Sequence, residues 1–225
     1  MICVVDYRKG NLKSVERGLA SAGADVVVTD DAARIARADA IVLPGVGAFA
    51  DASATMTELG QMDTVRRRIE DGVPFLGICL GLHLLFEEGE EGAPETGEDE
   101  EPRRPRGLAV LPGVVARMPR LDASGRSCKV PHVGWNEVTP DRDGVASAFE
   151  SPLFSGVEPG EHFYFTHSYI VPDTPTSIAY TDHAVTFPCA VRYRDNVFGV
   201  QFHPEKSSDA GARVLANFVS MAQGR

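Results

Sequence analysis

The chain has 225 residues, of which 43% are hydrophobic and 24% are charged, and its formal net charge is −10. This composition excludes a chain that is disordered throughout, because disorder requires lower hydrophobicity and more charge per residue. No apolar run approaches the roughly 18 residues that a membrane-spanning helix needs. We therefore expect a folded protein that does not cross a membrane.

The first half of the chain alternates between strands and helices. Strands are predicted at residues 2–5, 26–29, 40–43 and 73–78. Asn11 is a candidate cap for the first helix. Apolar residues at helical spacing mark three helix faces: Leu12, Val15 and Leu19; Met62, Val65 and Ile69; and Leu82, Leu84, Leu85 and Phe86. Such alternation predicts βαβ units and a parallel sheet covered on both faces.

The second half is richer in β-structure. Short strands separated by Pro and Gly are predicted at residues 110–118, 130–138, 162–169, 178–180, 188–194 and 197–202. One helix follows at 210–222, with Val214, Leu215, Phe218 and Val219 on its inner face. Between the halves, residues 89–106 combine Gly, Pro, acids and three arginines, which predicts a solvated surface loop.

The acidic residues are concentrated beside that loop. Nine of them, and no basic residue, lie between positions 87 and 101, so the rest of the chain is close to neutral. No basic stripe is present that would neutralise the phosphates of a nucleic acid. We therefore expect no nucleic-acid partner.

Cysteine usage indicates a reducing compartment. The four cysteines form no C-x-x-C pair and have no metal-ligand spacing, and the N-terminus lacks the pattern of a secretory signal. We expect free thiols, a cytoplasmic protein and no metal. Cys3, Cys128 and Cys189 have apolar or β-branched neighbours and are predicted to lie in the core, whereas Cys79 differs from them.

Cys79 lies in the sequence Gly-Ile-Cys-Leu-Gly at 77–81, between a predicted strand and a predicted helix. A nucleophile on a sharp strand-to-helix turn needs small residues two positions before and after it, because the backbone is crowded there. A helix N-terminus also favours thiolate over thiol. The N–H of Leu80 then faces any oxyanion formed on a substrate. The alternative interpretation is a buried cysteine in a glycine-rich turn.

His203 and Glu205 form a second motif, His-Pro-Glu, at the end of the last predicted strand. If strand geometry continues through the proline, both side chains share one face, and Glu205 can orient the His203 ring. Alone, the motif is more typical of a surface turn. Together with the cysteine elbow it predicts a Cys-His-Glu triad.

Pro-Gly-Val-Gly at 44–47 follows the third strand. Gly45, Gly47 and Ala50 match a dinucleotide-binding fingerprint, but that fingerprint belongs at the first strand of its unit, and the acids about 20 residues later end a helix. The better interpretation is a glycine loop beside the elbow, in which Val46 or Gly47 supplies a second oxyanion-binding N–H. The paired glycines let the Val46 peptide flip easily. Without a partner, we therefore expect the N–H of this loop not to point towards the oxyanion.

These motifs together resemble class I (triad-type) glutamine amidotransferases and, more narrowly, the glutaminase subunits of imidazole glycerol phosphate synthase, an enzyme of histidine biosynthesis. The narrower resemblance rests on five blocks that follow the family's order along nearly the whole chain. They are PGVG at 44–47, GICLG at 77–81 with LLFE at 84–87, PHVGWN at 131–136, YFTHSY at 164–169 and QFHPEKS at 201–207.

The resemblance implies a fold, an activity and a partner. The fold is α/β, with a mixed, largely parallel central sheet, helices on both faces and a β-rich second half, in a single domain over residues 1–225. The activity is hydrolysis of L-glutamine to glutamate and ammonia through a cysteine thioester, with no cofactor or metal. The partner in a heterodimer is a (β/α)₈-barrel cyclase, which uses the ammonia to make imidazole glycerol phosphate and an aminoimidazole carboxamide ribonucleotide.

The resemblance also implies residue roles. Cys79 attacks the amide, His203 transfers protons and Glu205 orients His203, while Leu80 with Val46 or Gly47 stabilises the oxyanion. Glutamine would be bound around Gly45, His83, Glu91, Tyr164, His167 and Ser168. The partner would contact Asn11, Ser14, Trp135, Asn136 and Lys206. Glu91 is equally well interpreted as a solvated acid. The alternatives for Trp135, a core residue, and for Asn11 and Lys206, plain surface residues, are less favoured than contact with the partner.

The chain departs from the family pattern at three places. His83 stands where members usually have Gln, Arg8 and Lys9 replace smaller residues, and the acidic insertion is long. Three other functions remain open: a glutaminase serving another synthase such as pyridoxal phosphate synthase, a stand-alone cysteine hydrolase, and a catalytically silent scaffold. The Gly-Trp-Asn block at 134–136 disfavours the first, and an intact triad disfavours the last.

Overall fold

The computed structural model describes residues 1–94, 103–141 and 149–224. Its strands are β1 Ile2–Val5, β2 Val26–Thr29, β3 Ala40–Leu43, β4 Phe75–Ile78, β5 Phe86–Gly89, β6 Leu111–Arg117, β7 His132–Glu137, β8 His162–His167, β9 Tyr169–Ile170, β10 Ser177–His183, β11 Val185–Tyr193 and β12 Val197–Val200. Its helices are α1 Leu12–Ser21, α2 Ala32–Ile35, α3 Phe49–Glu58, α4 Gln61–Glu70, α5 Leu80–His83 and α6 Ser208–Ala222.

A seven-stranded sheet forms the centre, in the order β10-β11-β12-β4-β3-β1-β2. Neighbouring strands from β12 to β2 run parallel, whereas β10 and β11 are antiparallel. The expected mixed, largely parallel sheet is confirmed. The β-rich second half adds strands β10–β12 to this sheet and also forms the antiparallel pair β7–β8 and most of a small sheet, β5-β6-β9.

Both faces of the central sheet are buried under helices. Along β1, Ile2 and Val4 contact one core that includes α1 and α6, whereas Cys3 and Val5 contact a second core that includes α3 and α4. This division follows from the two-residue period of a strand. The side chains predicted for the inner face of α6 are all buried.

Several predicted elements differ from the structure. The helix expected after Cys79 has only four residues, and Phe86 begins strand β5 instead of ending the helix. Helices α2 and α3 were not predicted. Asn11 occupies the cap position of α1, but its side chain makes no capping hydrogen bond. Cys128 is half-buried, whereas Cys3 and Cys189 are buried as expected, and all four thiols are free.

The predicted surface loop at 89–106 is described in part, because residues 95–102 lie outside the described residues. At its edges Arg104 pairs with Glu88 at 3.8 Å, and Gly89 is buried. Among the residues that the structure describes, no helix combines the length and apolarity needed to cross a membrane.

Replacement of Gly81 by Ala tests the close packing of β3 against α5. A Cβ at Gly81 would lie 1.8 Å from the carbonyl oxygen of Leu43, so the two elements must separate. We expect Gly81→Ala to lower the free energy of unfolding by about 3 kcal/mol in urea titrations. Gly125→Ala is the control: no atom lies within 4 Å of its Cβ, so only the cost of its positive φ remains, about 1 kcal/mol. Equal losses for the two variants would contradict this account.

Candidate active site

Three neighbouring strands of the central sheet converge on one site. Strands β3, β4 and β12 are parallel, and their registers align Leu43 with Gly77 and Ile78 with Val200. Because parallel strands end at the same edge of a sheet, the segments that follow them lie together. These segments are the glycine loop at 44–47, Cys79 and the His-Pro-Glu motif.

Cys79 occupies the sharp turn that its glycine neighbours predict. Its φ is 53° and its ψ is −104°, and a positive φ is rare for residues other than glycine. A Cβ at Gly77 would lie 2.4 Å from the carbonyl oxygen of Gly81, and Gly81 itself is pressed against Leu43. The crowding that motivated the elbow prediction is therefore present. Since α5 is a single turn, its dipole is weaker than the predicted longer helix would supply.

His203 is held by Glu205 and Ser207. The His203 Nδ1 and Glu205 Oε1 atoms are 2.9 Å apart, and each side chain is 3% exposed. The hydroxyl of Ser207 donates to the carbonyl of His203 at 2.6 Å and accepts the N–H of Tyr164 at 3.0 Å. Residues Pro204–Lys206 form a 3₁₀ turn, so the expected continuation of strand geometry is wrong. The turn nevertheless brings the histidine and the carboxylate together.

The electrostatic surroundings of His203 favour its protonated form. Burial alone would lower the pKa of the ring, but Cys79 and Glu205 outweigh it and raise the pKa from 6.5 to about 9. Since Nδ1 faces Glu205, the other ring nitrogen, Nε2, is the one left for Cys79. This Nε2 is buried and has no hydrogen-bond partner. The arrangement is that of a base whose orientation is set by a carboxylate.

The cysteine sulphur lies at the edge of a cavity of about 390 Å³. Of the residues predicted for the oxyanion hole and for glutamine binding, seven besides Cys79 line it: Val46, Gly47, Leu80, His83, Glu91, His167 and Ser168. Four further lining residues had no predicted role of their own: Ala48, Pro131, Thr166 and Tyr169. Pro131, Thr166 and Tyr169 fall inside blocks that carried the family resemblance, whereas Ala48 had no sequence signal.

Gly45 and Tyr164, both predicted to bind glutamine, do not line this cavity. Tyr164 instead packs edge-on against Trp135 with ring centroids 6.2 Å apart, and the ammonium of Lys206 lies over its ring. Gly45 packs against Tyr7, whose hydroxyl would be 2.0 Å from an added Cβ. Tyr7 is fully buried beneath the glycine loop and had no signal in the sequence.

Burial shifts the pKa of two polar residues that line the cavity, His83 and Glu91. Burial lowers the pKa of His83 to about 4, so its ring is neutral at neutral pH. Its Nδ1 is buried without a hydrogen-bond partner. Burial raises the pKa of Glu91, whose carboxylate accepts the N–H of Phe49 at 3.2 Å. Glu91 is therefore more than a solvated acid, because its carboxylate is hydrogen-bonded to the first residue of α3.

His167 is oriented by a chain of hydrogen bonds. Its Nδ1 lies 2.9 Å from the carbonyl oxygen of Tyr169, which can only accept, so Nδ1 carries the hydrogen. The Nε2 atom then accepts from Nδ1 of His132 at 3.1 Å. The remaining nitrogen of His132 faces the amide nitrogen of Asn136 at 3.4 Å. Burial lowers the pKa of both rings, so both are neutral. The hydrogen bonds of this series are therefore all donated in the same direction, towards the carbonyl of Tyr169.

The residues predicted to contact a partner differ in exposure. Asn11 and Lys206 are exposed and Ser14 is half-buried. Trp135 is 51% exposed, which excludes the interpretation as a core residue. Asn136 is half-buried, and its amide donates to the carbonyl of Asp182 at 2.6 Å.

The chain is similar to known proteins along its whole length. A family model described as glutamine amidotransferase class-I matches residues 3–222. The chain belongs to the class-I glutamine amidotransferase family. It is 45% identical to the imidazole glycerol phosphate synthase subunit HisH of Syntrophotalea carbinolica, covering 98% of this chain and 100% of that protein. It is 43% identical to the subunit of the same name from Geobacillus thermodenitrificans, covering 100% and 98%.

The fold agrees with the same family. A crystal structure of a glutamine amidotransferase superposes with a TM-score of 0.68 at 21% identity, covering 100% of both chains. The expected class I fold is thus confirmed. Among the described residues, no group of three or more His, Cys, Asp or Glu side chains is placed to hold a metal ion.

The pH dependence of the unfolding free energy should reveal how much Glu205 raises the pKa of His203. A pKa raised in the folded state stabilises the fold fully below the unfolded value of 6.5, and this stabilisation is lost as the pH rises through about 9. Glu205→Gln removes one of the groups that raise the pKa. Between these pH values we expect the parent to lose more unfolding free energy than Glu205→Gln, by on the order of 1 kcal/mol in urea titrations. Identical losses would show that Glu205 does not raise the pKa of His203.

Proposed function

We propose that this chain is the glutaminase subunit of an imidazole glycerol phosphate synthase and hydrolyses L-glutamine to glutamate and ammonia in histidine biosynthesis. The observation that carries the proposal is the Cys79 elbow beside a buried His203–Glu205 pair at the edge of a cavity. The full-length similarity to HisH subunits supports the choice of this synthase. The family match over residues 3–222 supports one glutamine amidotransferase domain.

The proposed reaction has two halves, and both use His203. The sulphur of Cys79 attacks the amide carbon of glutamine, and His203 gives a proton to the amide nitrogen, so that the C–N bond breaks and ammonia leaves. A thioester remains on Cys79. Water then attacks the thioester carbon while His203 takes a proton from it, and the C–S bond breaks to release glutamate. Glu205 keeps the ring in the orientation that both transfers need.

The oxyanion of each tetrahedral intermediate needs hydrogen-bond donors. Leu80, Val46 and Gly47 line the cavity beside Cys79, and their N–H groups are the proposed donors. Each such donor contributes on the order of 3 kcal/mol to transition-state stabilisation. Val46 is 41% exposed, and Gly47 has a φ of 105°, a conformation that favours glycine. We propose that binding of the partner turns the N–H groups of this loop towards the oxyanion, and that in the isolated subunit the loop keeps a conformation in which they do not point there.

The proposed partner is a (β/α)₈-barrel cyclase that receives the ammonia in a heterodimer. A narrow crevice supports this route, because its lining includes the exposed Asn11 and Lys206 as well as the buried His203. Trp135 and Val133 expose apolar surface on strand β7. Four free cysteines support a cytoplasmic location.

Glutamate release from glutamine tests the proposal directly. We expect the rate to rise steeply when both the cyclase and its nucleotide ligand are present, and to vanish in Cys79→Ala, which lacks the nucleophile. Cys128→Ala is the matched control, because this half-buried thiol lies outside the cavity and its loss should leave the rate unchanged. Activity that persists in Cys79→Ala, or that ignores the partner, would instead support a stand-alone hydrolase.

Trp135→Ala tests the partner surface. Exposed aromatic residues at the centre of an interface commonly carry much of its binding energy. We expect Trp135→Ala to weaken cyclase binding about tenfold or more in calorimetric titrations. Leu121→Ala removes an apolar side chain of similar exposure, 58% against 51%, on a different segment, and should not change the affinity. Equal effects of the two substitutions would place the interface elsewhere.

A further inference from the structure

Gln201 is a fully buried amide that follows β12 and had no predicted role. Both polar atoms of its side chain face the active site. Its Oε1 lies 2.8 Å from Nε2 of His83, and its Nε2 donates to the sulphur of Cys79 at 3.6 Å. Its backbone N–H is satisfied separately by the carbonyl of Cys189 at 2.8 Å.

A buried amide is costly unless it is hydrogen-bonded. The side chain of Gln201 meets this requirement by hydrogen-bonding to the ring of His83 and to the sulphur of Cys79. An apolar side chain of similar size could fill the same space without needing these partners. The two hydrogen bonds therefore connect His83, at the amide oxygen, with Cys79, at the amide nitrogen.

The hydrogen on His83 follows from this geometry. The oxygen of the Gln201 amide can only accept, so the facing Nε2 of His83 must donate. The ring is neutral, because burial lowers its pKa to about 4, and Nδ1 therefore carries no hydrogen. This pairing of the His83 Nε2–H with the amide oxygen leaves the amide nitrogen towards the sulphur.

The surroundings of the sulphur distinguish its two ionisation states. A neutral thiol can donate to the carbonyl oxygen of Thr166, 3.9 Å away. A thiolate can only accept, and the groups beside it are the amide of Gln201, the ring of His203 and the phenol of Tyr7. Burial keeps the phenol neutral by raising the pKa of Tyr7.

We propose that Gln201 is a positioning residue that donates a hydrogen bond to the thiolate of Cys79, and that His83 fixes the direction of this donation. The proposal deepens the proposed function, because it rests on Cys79 as the nucleophile. It also accounts for His83 at a position where the family usually has Gln, since an imidazole Nε2–H, like an amide N–H, supplies the donor that the Gln201 oxygen needs.

Alkylation of Cys79 by iodoacetamide tests the proposal without glutamine or a partner. The parent is the full chain carrying Cys128→Ala, because Cys3 and Cys189 are 0% exposed whereas Cys79 lines the open cavity. We expect Gln201→Met to lower the alkylation rate constant about tenfold at neutral pH, since the thiolate loses a charged hydrogen bond. At alkaline pH the rates should converge, because the thiol is then ionised in both proteins.

Variants at His83 test the direction of the hydrogen bonds. His83→Leu removes the donor to the Gln201 oxygen and should reduce the neutral-pH rate with the same convergence. His83→Gln supplies an N–H and should restore the parent profile. In the Gln201→Met background, His83→Leu should have no further effect on the rate, because the coupled pair is already broken.

Three outcomes would overturn the proposal. A rate change of equal size at every pH would assign Gln201 a packing role only. A faster reaction at neutral pH would mean that the amide accepts from the thiol. Equal pH profiles for His83→Leu and His83→Gln would show that His83 does not direct the hydrogen bond of Gln201. These two variants test the proposal even if Gln201→Met fails to fold. A chain that lacks glutaminase activity can still give any of these results, so the failures of the two proposals are distinguishable.

Discussion

The contact between Gly81 and the carbonyl of Leu43 is the constraint on which the site depends. Two backbones meet there with no room for a Cβ, and the adjoining turn from β4 into α5 holds Cys79 at a positive φ. A larger residue at Gly81 would push α5 away from β3 and move the sulphur away from the glycine loop. Local strain at the nucleophile is therefore maintained by close packing of the central sheet, which is buried on both faces.

The sequence predicts the parts of the fold with strong local periodicity. Strands β1 to β4 and helix α6 follow from apolar runs and helical spacing. Helix α3 escaped prediction because its buried face uses small residues, such as Ala52 and Ser53, beside a glycine loop. The length of helix α5 is overestimated because Leu82, Leu84 and Leu85 are all buried. When every side of a segment is buried, its apolar residues show no helical period that would indicate where the helix ends.

Site residues were predictable where they belonged to a motif, and otherwise were not. The Cys79 elbow and the His203–Glu205 pair each carry a short pattern with a physical reason. Tyr7 carries none, and Gln201 falls inside the block at 201–207 without a role of its own, because their importance comes from residues more than 35 positions away in sequence that the fold brings next to them. The same long-range packing places Tyr164 against the exposed Trp135 and Glu91 at the start of α3.

The position of β12 has a consequence for the newly made protein. This strand is the last of the central sheet in sequence, yet it lies in the interior of the sheet, between β4 and β11. A ribosome-bound chain can form β1 to β4 early, but β4 lacks its neighbour until residues 197–200 have emerged. During synthesis the nucleophile therefore exists long before its base, and an incomplete chain displays an unpaired apolar strand edge beside a cysteine. Chaperone binding would be most useful to this protein at that stage.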